Sequence, residues 1–129
     1  TYLKAMADTS FRWGEHDCLT FTNEAWRQMH GHGWADDWLG RYMDGNRAFT
    51  RRELQEEFGF DTFTQAVDSR LQRVDCVPPR GALVTTRRAR RWSIGGALGI
   101  SVGIKAAFVS AHGITYHPIE MIDKAWVET

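Results

Sequence analysis

The sequence predicts one α+β domain in which helices from the first half pack on an antiparallel sheet from the second half. Three observations support this fold class. Helix-capping patterns and apolar residues at helical spacing dominate up to the Pro78-Pro79 pair, and short β-prone runs punctuated by glycine follow it. A length of 129 residues is typical of one domain, and six Trp and seven Phe can supply its core. No repeat, low-complexity stretch or linker divides the chain, so we expect a single domain over residues 1–129.

The helices are predicted from their caps. Asp17 is a favoured N-cap residue before an apolar-periodic stretch, and capping-box patterns begin at Thr50 and Thr62. The predicted helices cover 2–6, 18–30, 35–39, 51–58 and a segment that begins at 63. The side chains expected to face the core are Cys18, Phe21, Ala25, Met29, Phe63, Ala66 and Leu71.

The strands are predicted from runs of β-branched and aromatic residues that end at glycine or proline. The predicted strands cover 81–86, 97–102, 105–110, 114–117 and 125–127. Gly103 lies near the turn between 97–102 and 105–110, and a short turn is expected around 118–123. This spacing predicts an antiparallel meander.

Composition excludes several classes of protein. The formal net charge is zero, and no apolar run approaches the roughly 20 residues that a membrane-spanning helix needs. The first residues lack the charged start and continuous apolar stretch of a secretory signal, so none is expected. Cys18 and Cys76 form no C-x-x-C pair, which argues against a zinc knuckle or a disulfide framework. We expect no cofactor and no metal centre.

Cys18 is the candidate catalytic residue. It follows the Asp17 cap directly, so it falls at the first position of the main predicted helix. The positive end of a helix macrodipole favours a thiolate there. A small buried thiol in the apolar stripe is the alternative interpretation, because cysteine is among the most buried residue types.

Histidines near the predicted strands are the candidate bases. His112 lies in a turn just after the strand 105–110 and is the candidate displaced base. His16 is interpreted as a surface-loop residue or a partner for backbone groups, and His117 as a strand-end residue. The segment from His30 to Gly33, followed by Asp36 and Asp37, is a weak metal pattern that is better explained as a helix end and loop.

A cluster of cations lies between the first two predicted strands. Its members are Arg87, Arg88, Arg90, Arg91 and the neighbouring Trp92. Charge beside an aromatic surface is compatible with nucleic acid, but the balanced net charge favours a hairpin tip that is either solvated or in contact with a protein partner.

Several short motifs resemble the NlpC-type papain-like cell-wall peptidases. That family combines Asp-Cys at a helix start, a Gly-x-Leu-Val strand, a second strand of the form His-Val-Gly-Ile-x-x-Gly, and a third of the form Phe-Val-His-Ala. The matching segments are Asp17-Cys18, Gly81-Ala82-Leu83-Val84, 97–103 and 108–111. A compact bacteriophage and prophage branch, found among tail genes, is more similar still. The segments that match this branch are Phe11-Arg12-Trp13-Gly14, Gly40-Arg41-Tyr42 and Ala125-Trp126.

The sequence departs from the catalytic pattern of that family. The strand-two histidine that activates the cysteine in the family corresponds to Ala97, and the third polar position corresponds to Ser110. A thiol with the ordinary pKa of about 8.5 is only about 3% thiolate at neutral pH. A positioned base contributes about 10²- to 10⁴-fold in rate. We therefore expect no efficient amide hydrolysis.

The resemblance implies two alternative functions. The first is a bacteriophage tail-tip or tail-assembly protein that uses a degenerate NlpC-type scaffold to contact other tail proteins. Such a protein would be found in the host cytoplasm during assembly and then in the virion tail. The second is a cysteine peptidase or amidase that cleaves murein peptide stems, with Cys18 as nucleophile and peptidoglycan as partner. Nucleic-acid binding through the arginine cluster is a third and weaker interpretation.

Overall fold

The computed structural model of this protein describes residues 2–75, 77–86 and 98–129. Helices precede an antiparallel sheet along the chain, which confirms the α+β class. The helices are α1 (Tyr2–Ala5), α2 (Cys18–His30), α3 (Arg51–Phe58) and α4 (Phe63–Asp68), and 3-10 turns lie at Asp36–Trp38 and Ile119–Met121. No helix in the described residues combines the length and apolar character needed to cross a membrane.

Two antiparallel sheets are present in the described ranges. A small hairpin joins β1 (Met43–Asp44) to β2 (Arg47–Ala48). The main sheet has six strands in the order β3-β8-β4-β5-β6-β7. These strands are β3 (Gln72–Val74), β4 (Leu83–Thr85), β5 (Leu98–Ser101), β6 (Lys105–Ser110), β7 (Gly113–Pro118) and β8 (Lys124–Val127).

The predicted starts of α2, α3 and α4 are confirmed, and each rests on a side-chain cap, whereas the predicted helix 35–39 is only the 3-10 turn Asp36–Trp38 without such a cap. The side chains of Asp17, Thr50 and Thr62 each accept a hydrogen bond from the backbone N–H three residues later. Such a cap satisfies a donor that the first helical turn leaves without a partner. The bounds of α2, α3 and β6 agree with the prediction, and the ends of β4, β5, β7 and β8 differ from it by one or two residues.

The predicted meander is correct for β4 to β7 and wrong for β8. Instead of extending the sheet beyond β7, β8 returns to the opposite side and pairs with β4 and β3. Trp126 explains this placement, because it is fully buried and its indole N–H donates to Asp68 Oδ1 at the end of α4 over 2.8 Å. Strand order is set by this tertiary contact, which the local pattern does not contain.

One predicted core position is wrong, and another is buried as predicted but lies outside its predicted helix. Met29 is 44% exposed, and Trp26 on α2 is buried in its place. Leu71 is buried, but α4 ends at Asp68, so Leu71 lies in the connection to β3.

The core lies between the helices and one face of the sheet. Side chains of α2 pack on β5 and β6, and the fully buried rings include Trp26, Trp126 and Tyr42. The C-terminal half of α2 lies beside the end of β5, where Ala25 shares a groove with Ile100. The start of α2, with Cys18, therefore lies toward the opposite end of the sheet, where β5 begins and β6 ends.

Candidate functional site

The start of α2 is organised around the buried carboxylate of Asp17. Its Oδ1 accepts from the Thr20 N–H at 2.9 Å. Its Oδ2 accepts from the Gly14 N–H at 2.8 Å and from the Tyr42 hydroxyl at 2.6 Å. The Thr20 hydroxyl in turn accepts from the Asp17 N–H, which completes a reciprocal capping box. We call Asp17, Gly14, Thr20 and Tyr42 the Asp17 network.

This network explains two of the sequence motifs. Gly14 has φ of +77°, a conformation that glycine adopts without strain, and this turn points its N–H at Asp17. Tyr42 belongs to the Gly40-Arg41-Tyr42 segment and is buried. Burial is the main cause that raises the pKa of Tyr42, and the neighbouring Asp17 raises it further. The phenol therefore stays protonated and donates to the carboxylate.

Cys18 follows the Asp17 network and is 0% exposed. It belongs to the main core cluster, together with Leu19 and Phe21 of the same helix. Its carbonyl oxygen accepts from the Thr22 hydroxyl at 2.8 Å. Reactive cysteines lie in partly exposed positions, because the thiolate has to reach its substrate. The described structure gives the Cys18 sulfur no such access.

His16 is buried and is therefore not the surface-loop residue that the sequence predicts. It is only 8% exposed, and its ring packs edge-on against Phe21 with the centroids 6.2 Å apart. An isolated antiparallel β-bridge pairs Arg12 with His16 just before α2. This turn of the chain places the His16 ring close to the start of α2. Burial lowers the pKa of His16, and the nearby Asp17 opposes that change. Its Nε2 atom is buried and has no hydrogen-bond partner.

Ser110 and His112 lie at the same end of the sheet as Cys18. Phe11 N–H donates to Ser110 O at 3.0 Å, which ties the chain ahead of α2 to the end of β6. The Ser110 hydroxyl donates to Gly113 O at 2.7 Å and accepts from the His112 N–H at 3.3 Å. Ser110 therefore stabilises the β6–β7 turn, and the His112 side chain is exposed on that turn.

Several predicted site residues lie outside the described residues. They are Ala97, the proposed partner-binding residues Arg87, Arg88, Arg90, Arg91 and Trp92, and the second thiol Cys76. Their assignments stay predictions.

The residues of the weak metal pattern have other partners. Asp36 accepts from Asn23 Nδ2 at 2.8 Å and from the Gly33 N–H, and it pairs with Arg27. His30 Nδ1 and His32 Nε2 instead face Glu128, at 3.4 and 3.2 Å. Within the ranges 2–75, 77–86 and 98–129, no group of three or more His, Cys, Asp or Glu side chains is arranged to hold a metal ion.

A groove of about 670 Å³ lies away from Cys18, between α1, the C-terminal half of α2, the end of β5, Tyr116 of β7 and the Arg80–Gly81 segment before β4. We call it the α1–α2 groove. Leu3, Ala25 and Ile100 are among its apolar lining residues. Neither Cys18 nor His112 lines it. Sequence reasoning missed this groove, because its walls come from four separate elements.

A protein family of unknown function matches nearly the whole chain. The family described as "Domain of unknown function (DUF6950)" matches residues 1–127. The chain belongs to this family. No curated protein matches the DUF6950 chain, and no solved structure matches it.

Proposed function

We propose that this protein is a bacteriophage tail-tip or tail-assembly component that uses a degenerate NlpC-type scaffold for contacts with other tail proteins. The phage context and the NlpC-type fold rest on the sequence resemblance. They are compatible with a DUF6950 chain whose helices pack on an antiparallel sheet. On this proposal the protein occupies the host cytoplasm during assembly and the virion tail afterwards.

One observation carries the non-catalytic part of the proposal, namely the complete burial of Cys18. Hydrolysis of an amide needs an accessible nucleophile, a base to activate it and an acid to protonate the leaving amine. The exposed His112 sits on a turn that Ser110 stabilises. Cys18 thus has the position of a nucleophile at a helix start, while its surroundings are those of a packed core residue.

The alternative is a cysteine peptidase or amidase that acts on murein peptide stems. The observation in its favour is the buried His16, which lies two residues before Cys18 and has a ring nitrogen without a partner. Such an enzyme would have to open the start of α2 before it could bind a substrate. We therefore keep it as the second candidate.

Incubation of the purified protein with peptidoglycan sacculi distinguishes these functions. Mass spectrometry of the soluble products should detect no cleaved stem peptides, and Cys18→Ala should give the same result as the unchanged chain. An active NlpC-type enzyme serves as the positive control. Cleavage that disappears in Cys18→Ala would overturn the proposal and establish the peptidase.

The partner contacts need a separate experiment, with Arg87, Arg88, Arg90 and Arg91 as the proposed binding residues. Replacement of all four by Ser should reduce incorporation of the protein into tails, whereas Cys18→Ala should leave it intact. If the cluster binds nucleic acid instead, affinity for a DNA duplex should fall steeply with added salt. A response that is flat with salt excludes that interpretation.

A further inference from the structure

The α1–α2 groove is an apolar surface that the core does not fill. Its volume of about 670 Å³ is in the range of ligand-binding clefts. The Met29 and Tyr116 side chains line it and are 44% and 48% exposed. Large side chains that stay this exposed along one groove are typical of an interaction site.

The charges along the groove have one sign. Lys4 and Arg80 line it, and its lining contains no Asp or Glu among the described residues. Arg80 donates to Val102 O at 3.0 Å, which anchors its guanidinium group at the groove. Glu24 lies near the groove, because its charge contributes to raising the pKa of the lining residue Tyr2 to about 12. The Glu24 carboxylate is paired with Arg27 at 3.1 Å. Arg80 therefore favours a partner that brings a carboxylate to the groove.

A sheet edge borders the groove at Tyr116. Within the described strands, β7 pairs with β6 alone. Ile114 N–H donates to Ala7 O at 3.0 Å, so the backbone groups of Ile114 face away from β6. Alternate residues of an antiparallel strand share one direction, so the Tyr116 N–H and C=O also face outward. Ala7 and Pro118 limit this edge to a short length, which suits one or two hydrogen bonds to an extended chain.

We propose that the α1–α2 groove receives an extended segment of a partner protein, with a large apolar side chain in the groove and an Asp or Glu beside Arg80. The backbone of this segment pairs with Tyr116 at the β7 edge. The inference rests on the proposed function, because it identifies a contact surface of a protein that acts through protein–protein contacts. The surface lies toward the opposite end of the sheet from Cys18.

The experiment uses a random linear dodecapeptide library selected on the immobilised full chain. We expect the enriched peptides to contain Asp or Glu within two positions of a large apolar residue. The best peptide is then synthesised, and its dissociation constant is measured by fluorescence anisotropy. Met29→Glu and Arg80→Glu should each weaken binding by about tenfold or more. Amide signals of Tyr116 and Ile100 should shift in the nuclear magnetic resonance spectrum of the complex.

Matched variants control for charge and for folding. Met121→Glu changes a methionine outside the groove that is 59% exposed, and Arg52→Glu changes an exposed arginine on α3. Both should bind the peptide within about twofold of the unchanged chain. If Met29→Glu fails to fold, Met29→Gln replaces it. Arg80→Glu should also bind better to a peptide whose acidic residue is replaced by Lys, because the charges are then complementary again.

Three results would overturn the proposal. They are the absence of enriched peptides, enrichment without an acidic preference, and binding that is indifferent to both groove variants. Failure of the proposed function gives a different result. Murein cleavage that depends on Cys18 would refute the tail-scaffold function and leave the peptide measurements unaffected, because Cys18 does not line the groove.

Discussion

Asp17 is the residue on which the start of α2 depends. A buried carboxylate is stable only when donors replace the water it has lost. The backbone N–H groups of Gly14 and Thr20 and the hydroxyl of Tyr42 supply those donors. The sequence predicts the cap because an N-cap is a local interaction. It cannot predict Tyr42, which reaches Asp17 from 25 residues away.

Tyr42→Phe tests this network. Removal of the hydroxyl leaves one Asp17 oxygen short of a donor in a buried position, so the free energy of unfolding should fall by about 1–3 kcal/mol. Urea denaturation measures the loss. Tyr116→Phe is the matched control, because that hydroxyl belongs to a half-exposed side chain and its removal should have little effect. Equal effects of the two variants would show that the Asp17 network adds nothing to stability.

His16 should make stability depend on pH. Burial lowers the pKa of His16 in the folded state below its usual value of about 6.5. The unfolded chain therefore binds a proton first as pH falls, and acidification through about pH 6.5 should destabilise the folded state. One such group contributes at most about 1.4 kcal/mol per pH unit.

Urea denaturation of His16→Leu between pH 7.5 and 5 checks this dependence. The variant should lose less stability on acidification than the unchanged chain. His112→Gln, which alters an exposed histidine, should retain the full dependence. A parallel decline in all three proteins would assign the dependence to other groups.

At the scale of elements, the predictions succeed where the cause is local. Side-chain caps specify the starts of α2, α3 and α4. The sequence predictions omit β3 and place β8 wrongly in the sheet. The position of β8 depends on a contact between Trp126 and Asp68 across 58 residues. The helix start at Cys18 was predictable because its cap is a local interaction. The α1–α2 groove was not predictable, because it depends on how separate elements pack.

Gly99 on β5 shows how closely the central strands pack. A Cβ added there would lie 2.5 Å from Ala107 O and 2.7 Å from the Phe108 ring. Gly99→Ala should therefore lower the free energy of unfolding by about 1–3 kcal/mol. Thermal and urea unfolding of the variant measure the loss.

A double-mutant cycle separates the two clashes. In a Phe108→Leu background the ring contact is gone, so Gly99→Ala should cost less there, although the clash with Ala107 O remains. The same cost in both backgrounds would show that Phe108 plays no part in excluding a side chain at position 99.

At the scale of the molecule, two ends of one sheet have different characters. The end that holds Cys18 is closed by the Asp17 network and by the bond from Phe11 to Ser110. The other end holds the α1–α2 groove, with its exposed Met29 and Tyr116. The sequence motifs that resemble the NlpC-type family predict a candidate site at the first end. We propose the groove at the second end as a further surface for contact with a partner, in addition to the arginine cluster.

The central claim is that Cys18 is a packed core residue and not a nucleophile. Alkylation of the native protein by iodoacetamide from pH 5 to 9, followed by peptide mass spectrometry, tests it most directly, with Cys18→Ala used to correct for Cys76. Because labelling requires opening of the core, Cys18 should react roughly 100-fold or more slowly than in urea-unfolded protein at each pH. Rapid labelling of native Cys18 near pH 6 that slows in His16→Leu or His112→Ala would contradict the claim and establish an activated thiol.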